Sequence, residues 1–295
     1  MPIAAAFLSS LIYLYITHAT LELEKHLGAL RIVYYHLVVS LFLFALTLSF
    51  TSGPWPNFKA AQFLFFSGII GFGIAEVLAF KMLSSMGASR FTMVYAFQPA
   101  VVSLQSAILI GEKITLGEMT ALGLLAICMI LLSLERKSAS REFKSRPFYL
   151  FIALLAVFLD SFGMIYTRKA FLVDPLLTAP MATFVRVVAG LVTLLLAIVV
   201  GVLKTPSTSA VDHLKVKQFR TRLIGVSLLS FLSMCLFSYA LEHERLTALV
   251  AVCALVPVAA SIYEHLKEKR NPEGKFLAAS IAMVVGVFFV ALSSH

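Results

Sequence analysis

A chain of 295 residues that is 60% hydrophobic and 13% charged, with a mean hydropathy of +0.94, carries more apolar surface than a soluble domain can use; such domains are typically about 45–50% apolar and about 25% charged. The net charge of +9 is distributed over the gaps between apolar stretches, which argues against the single basic patch of a nucleic-acid binder. Cys128, Cys235 and Cys253 all lie inside apolar stretches, so neither a secreted disulfide framework nor a Cys/His metal spacing is present.

A helix needs roughly 20 apolar residues to cross a bilayer core. Ten stretches meet that requirement. The first five are Ile3–Thr20, Leu30–Phe50, Ala60–Leu83, Ser89–Ile110 and Thr115–Leu134. The next five are Phe148–Tyr166, Leu176–Leu203, Leu223–Leu241, Thr247–Tyr263 and Phe276–Leu292. The first has no basic n-region before it and reads as a retained helix and not a signal peptide. Turn residues and charge fill the gaps, as in Ser52-Gly53-Pro54-Trp55-Pro56 and in the basic segment Arg136–Pro147. The runs are continuous, without the period-two alternation of barrel strands. The expected fold is therefore an all-α membrane protein with ten transmembrane helices.

The linker at 135–147 divides the chain into halves, 1–134 and 148–295, of five helices each. Arg31 precedes Pro99 in the first half much as Arg186 precedes Pro257 in the second. Each proline lies in the fourth helix of its half, with a hydroxyl residue, Ser89 or Thr247, ten positions before it. An odd number of helices per half makes the second half enter the membrane inverted. Inverted repeats of this kind place a binding site between the halves near the bilayer midplane.

Ionisable groups inside spans are expensive, at about 2.5–3.5 kcal/mol on insertion scales. Asp160, inside the sixth helix, therefore either lines a cavity or is held in a structural pair, and the cost favours the cavity. Glu76 closes the run Gly71-Phe72-Gly73-Ile74-Ala75 and is read as a site carboxylate or an interfacial one. Arg31 and Arg186 are expected to snorkel or to pin helices. Tyr95 and Gln98 stand three apart on the proline-bearing helix and share a face, suited to substrate contact or to interhelical bonding. Tyr13, Thr17 and Tyr166 are further candidates for the cavity lining, and Pro99 and Pro257 for hinges. Gly68, Gly71 and Gly73 allow close helix approach.

His18, His26, His36, His213, His243, His265 and His295 are scattered, without HExxH spacing, and no P-loop, GxGxxG or GxSxG occurs. No enzyme, metal site or cofactor is expected. Most of the 24 lysines and arginines flank the gaps that follow odd-numbered helices. The positive-inside rule places those gaps in the cytoplasm and both termini outside.

The segments Gly87-Ala88-Ser89, Phe97-Gln98-Pro99, Leu109-Ile110-Gly111-Glu112-Lys113 and Leu122-Gly123 resemble the EamA-type repeat of the drug/metabolite transporter superfamily. The second half keeps Thr247, Pro257 and Gly286 but lacks the Gly-Glu, for which Glu264 or Glu268 stands in. Arg31 and Arg186 match the arginine common early in the second helix of that repeat. The resemblance implies a multi-pass carrier of the cell (inner) membrane, working by alternating access, with termini usually drawn in the cytoplasm, against the charge count. The expected activity is secondary transport of a small polar metabolite, amino-acid-like or zwitterionic, with a coupling proton or counter-substrate and the lipid bilayer as partner. A non-transporting scaffold or receptor is the alternative, followed by a membrane enzyme.

Overall fold

The computed structural model describes residues 1–51, 53–86, 97–113, 147–201 and 217–253, together with Phe91, Val94, Tyr95, Leu116, Met119, Thr120 and Gly123. Every regular element among them is helical. In chain order these are α1 (Pro2–Leu27), α2 (Ala29–Phe50), α3 (Phe58–Ser67), a π-helical segment (Gly68–Ala75) and α4 (Glu76–Met86). Then follow α5 (Gln98–Leu109), α6 (Pro147–Val173), α7 (Ala179–Val199), α8 (Lys217–His243) and α9 (Leu246–Cys253). Six rods are long and apolar enough to span a membrane: Pro2–Leu21, Ala29–Phe50, Phe58–Leu83, Phe148–Val173, Ala179–Val199 and Phe219–His243. They coincide with the first, second, third, sixth, seventh and eighth expected spans. Most of the fifth expected span, the tenth, Ser89, Pro257, Glu264, Glu268, Gly286 and all of the 135–147 linker but Pro147 lie outside the described residues.

Local chemistry sets the helix ends. Gly28 joins α1 to α2 in a single residue at φ 77°, a conformation that favours glycine. Asn57 caps α3, its side chain accepting from the Ala60 N–H at 2.8 Å. Pro180 sits in the first turn of α7, where its missing N–H costs nothing. Pro99 likewise opens α5, and just before it the Phe97 N–H donates to the Val94 carbonyl at 3.1 Å.

Within the spans, hydroxyls bond their own helix. Thr17, Thr167, Thr183 and Ser227 each donate to the carbonyl four residues earlier at 2.8–2.9 Å. No donor on those side chains is left to face lipid, where an unsatisfied group costs several kcal/mol.

Packing is closest where glycines remove side chains. α7 lies against the π-helical segment. A Cβ on Gly68 would collide with the Arg186 carbonyl, and one on Gly190 would come within 2.8 Å of Phe72 Cβ. Gly163 of α6 would place its Cβ 3.1 Å from Gly71 Cα. The glycine run therefore acts in packing, as expected. α1 runs along α8, α2 lies against α7 and α8, and α5 bridges α6 and α9. The buried side chains form clusters between these rods, one around Phe44, Leu83, Val157 and Leu194, another around Leu64, Ile165, Leu241 and Leu246. Phe42, Phe50, Phe151 and Val199 point outward, as side chains facing lipid would.

Candidate functional site

A cavity of about 210 Å³ opens between α1, the π-helical segment, α4, α5, α6, α7, α8 and α9. It exceeds the roughly 150 Å³ void that accommodates a benzene molecule. Its wall is largely apolar and aromatic, with Phe72, Phe91, Met164, Met234 and Phe237. A few polar groups converge on it, the usual composition of a small-molecule site.

The carboxylates come from adjoining rods. Asp160 projects from the middle of α6, and its Oδ2 accepts from Gln98 Nε2 of α5 at 2.7 Å. Glu76 begins α4, directly after the π-helical segment, and its backbone N–H reaches the Gly71 carbonyl five residues back. That wider turn shifts the phase of the helix, as π-bulges do at many functional sites. Glu76 Oε1 lies 3.0 Å from His36 Nε2 of α2, a side chain only 1% exposed.

The cation is Arg186 of α7. It is 5% exposed, it lines the cavity, and its guanidinium lies 4.3 Å from the centre of the Phe72 ring. Its side chain stays in the protein interior and does not snorkel, which corrects one of the two roles expected for it. Gly71 lies beside it, where an added Cβ would come into ordinary contact with its Nη2 at 3.8 Å.

A hydroxyl-rich wall lies between α1 and α8. Ser9 Oγ and Ser233 Oγ are 2.9 Å apart, and Ser10 Oγ donates to Cys253 Sγ at 2.9 Å. Between α7 and α8, Thr183 Oγ1 and Ser238 Oγ lie 2.6 Å apart.

Both halves of the chain contribute to this wall, and the sequence pattern of the EamA-like transporter family matches both, over residues 1–134 and 147–292. The chain belongs to the EamA-like transporter family. It is a multi-pass membrane protein of a transporter family, not of an enzyme family. Among solved structures, the crystal structure of one protein superposes with a TM-score of 0.74 at 16% identity, covering 100% of this chain and 98% of that one. At that identity the likeness speaks for the fold alone. No curated protein matches the chain in sequence.

In this EamA-like chain, Tyr13, Glu76, Tyr95, Gln98 and Asp160 line one cavity, with Pro99 and Thr17 beside them. Glu76 is partly buried among the helices, with its Oε1 3.0 Å from His36 Nε2. Tyr166 is elsewhere. It stacks on Phe63 and Phe162, at 6.0 and 6.3 Å between ring centres, with Lys169 Nζ 5.9 Å from its own ring. Six residues separate it from Asp160, which turns it well off the Asp160 face at 3.6 residues per turn. His36 and the site role of Arg186 were not foreseen. Arg186 met the same criterion of charge within a span that singled out Asp160, whereas nothing in the sequence distinguishes His36 from the other scattered histidines. Arg31, the expected counterpart of Arg186, does not line the cavity.

At one end of the molecule, contacts join the two family-matched halves. The Asn57 N–H donates to Asp174 Oδ2 at 2.8 Å, and Arg245 Nη2 donates to the Lys113 carbonyl at 2.7 Å. The Leu246 N–H points at Glu112 Oε1 across 3.5 Å, so the Gly-Glu pair ends on the start of α9. Gly111 makes the turn that permits this, at φ 75°.

Proposed function

We propose that this protein is a secondary transporter of the cell membrane that moves a small polar metabolite, amino-acid-like or zwitterionic, by alternating access. The observation that carries this reading is a cavity lined by Asp160, Glu76 and Arg186, with both halves of the chain contributing. A membrane scaffold has no need of charge in a cavity between its halves. Charges at such depth are costly unless they serve a ligand or a partner.

In this reading Asp160 receives a substrate ammonium group or a coupling proton, and Gln98 holds its carboxylate in place. Tyr13 and Tyr95 offer hydroxyls and ring faces to the substrate. Pro99 and Pro257 serve as hinges between the inward- and outward-facing forms. The driving force is a proton or a counter-substrate. Uptake by proteoliposomes containing the purified protein, measured against a panel of radiolabelled amino acids and related zwitterions, tests the proposal. Saturable accumulation of at least one zwitterion supports it. Absence of uptake and exchange for the whole panel, in vesicles that contain folded protein, refutes it.

A further inference from the structure

We propose that Arg186 is the anchor for a carboxylate group of the substrate, so that this cavity selects molecules bearing a carboxylate and not amines in general. The inference deepens the transport reading above and rests on it for the idea that the cavity holds a substrate.

Arg186 sits deep in a spanning rod, is nine-tenths buried, and lines the cavity. Its Nε is buried without a hydrogen-bond partner, and its guanidinium has no ion-pair partner among the described residues. The guanidinium lies over the Phe72 ring, 4.3 Å from its centre. A structural arginine in a membrane interior normally spends its donors on carboxylates or backbone carbonyls. Arg168, in the same rod as Asp160, does so through one nitrogen: its Nη1 donates to the carbonyls of Leu241 and Glu242 at 2.7 and 3.3 Å, while its Nε, like that of Arg186, has no hydrogen-bond partner. The Phe72 ring supports Arg186 without consuming a donor.

The held geometry defines the guest. A guanidinium supported by an aromatic ring can turn its N–H edge toward the cavity as a planar fork, which matches a carboxylate in bidentate fashion. Phosphate also fits a fork, but charge argues against it. The lining already holds Asp160 and Glu76 against one arginine, with His36 behind Glu76. A dianion would add two negative charges there. A monoanionic carboxylate that brings its own ammonium group adds none, and Asp160 is placed to receive that ammonium. The remaining wall of Phe72, Phe91 and Phe237 accepts an apolar or aromatic substituent.

The test uses the full-length protein in lipid nanodiscs and three probes that share one ring: phenylacetate (carboxylate only), phenethylamine (amine only) and phenylalanine (both). Thermal unfolding is followed against millimolar concentrations of each, with chloride at matched ionic strength as control. Phenylacetate and phenylalanine should raise Tm in the wild type. In Arg186→Gln the phenylacetate shift should vanish while the phenethylamine shift persists. Arg186→Lys keeps the charge without the fork, and should weaken phenylacetate at least tenfold while changing phenethylamine by less than twofold. That variant decides the matter if Arg186→Gln does not fold. Equal phenylacetate shifts in wild type and Arg186→Lys overturn the proposal, as does a wild type that answers to phenethylamine alone or to none of the three. An Arg186-dependent phenylacetate shift with no further gain for phenylalanine keeps the anchor and removes the zwitterion from the transport reading.

Discussion

Asp160 is held by Gln98 at 2.7 Å, so its two possible duties separate under one substitution. Asp160→Asn preserves size and most hydrogen bonding but cannot titrate. If Asp160 carries the coupling proton, the variant loses pH-driven accumulation in proteoliposomes and keeps substrate exchange. If it binds an ammonium group, apparent affinity falls in both assays, by about tenfold for each 1.4 kcal/mol of lost interaction. Unchanged transport in both leaves it a structural residue. Glu24 offers a separate reading outside the candidate span Pro2–Leu21. Its Oε2 is buried without a hydrogen-bond partner, and burial pushes its carboxyl from the ordinary 4.5 up to about 7. The folded protein therefore binds more protons than the unfolded chain between those two values, so this contribution to stability is complete below pH 4.5 and is lost as pH rises through 7. Glu24→Gln should remove that slope. The test is Tm at pH 5 and pH 8, where wild type should lose a few degrees more than the variant across the interval. An identical loss in both would show Glu24 to be solvated.

At the level of elements, the junction between α7 and the π-helical segment is the most demanding. A Cβ on Gly68 has no room beside the Arg186 backbone. Gly68→Ala should destabilise the protein by about 1–3 kcal/mol, the usual range for overpacking, and should weaken any ligand that depends on Arg186. Gly225 of α8 is the control, since a Cβ there meets nothing within 4 Å. Gly225→Ala should be neutral or stabilising by up to about 1 kcal/mol. Chemical denaturation of both variants in mild detergent distinguishes them, and equal stabilities would mean that α7 and the segment can separate at no cost. The helices around this junction were legible in the sequence because continuous apolar runs of spanning length leave little else for the chain to be. Asp160, Glu76, Tyr13, Tyr95 and Gln98 were legible as polar anomalies within such runs. The π-helical turn was not, because its wider backbone pitch leaves no mark on an apolar run such as Gly68–Ala75. Tyr166 was misplaced because a tyrosine near a carboxylate in sequence need not share its face. Contacts such as Gln98 with Asp160 and His36 with Glu76 depend on how separate rods pack, and apolar periodicity does not report that.

Across the whole molecule, the contacts joining the halves through Asn57–Asp174, Arg245–Lys113 and Glu112–Leu246 all lie on the face of the even-numbered gaps. An alternating-access carrier must break such contacts to open its cavity on that side. Removing two of them, in Asp174→Ala with Arg245→Ala, gives up hydrogen bonds worth about 0.5–1.5 kcal/mol each and should shift the population several-fold toward opening there. The readout is labelling of Ser230→Cys, in the cavity wall, by an impermeant thiol reagent on a cysteine-free background. Faster labelling from that face is expected, and an unchanged rate would show that the contacts do not restrain opening. The same chemistry settles orientation. From the distribution of basic residues, Ser140→Cys in the 135–147 linker should be labelled only from the cytoplasmic side, and labelling from outside intact cells would reverse the topology. The hydroxyls of Thr17 in α1 and Ser227 in α8, already bonded within their own helices, also bear on synthesis. A span of that kind asks nothing of its neighbours and can leave the translocon alone. α6 and α7 cannot do so on equal terms, because Asp160 and Arg186 stand deep within their spans. As consecutive helices with opposite charges, they should partition together as a hairpin. In a glycosylation-tag insertion assay, α7 alone should then insert less completely than α7 preceded by α6.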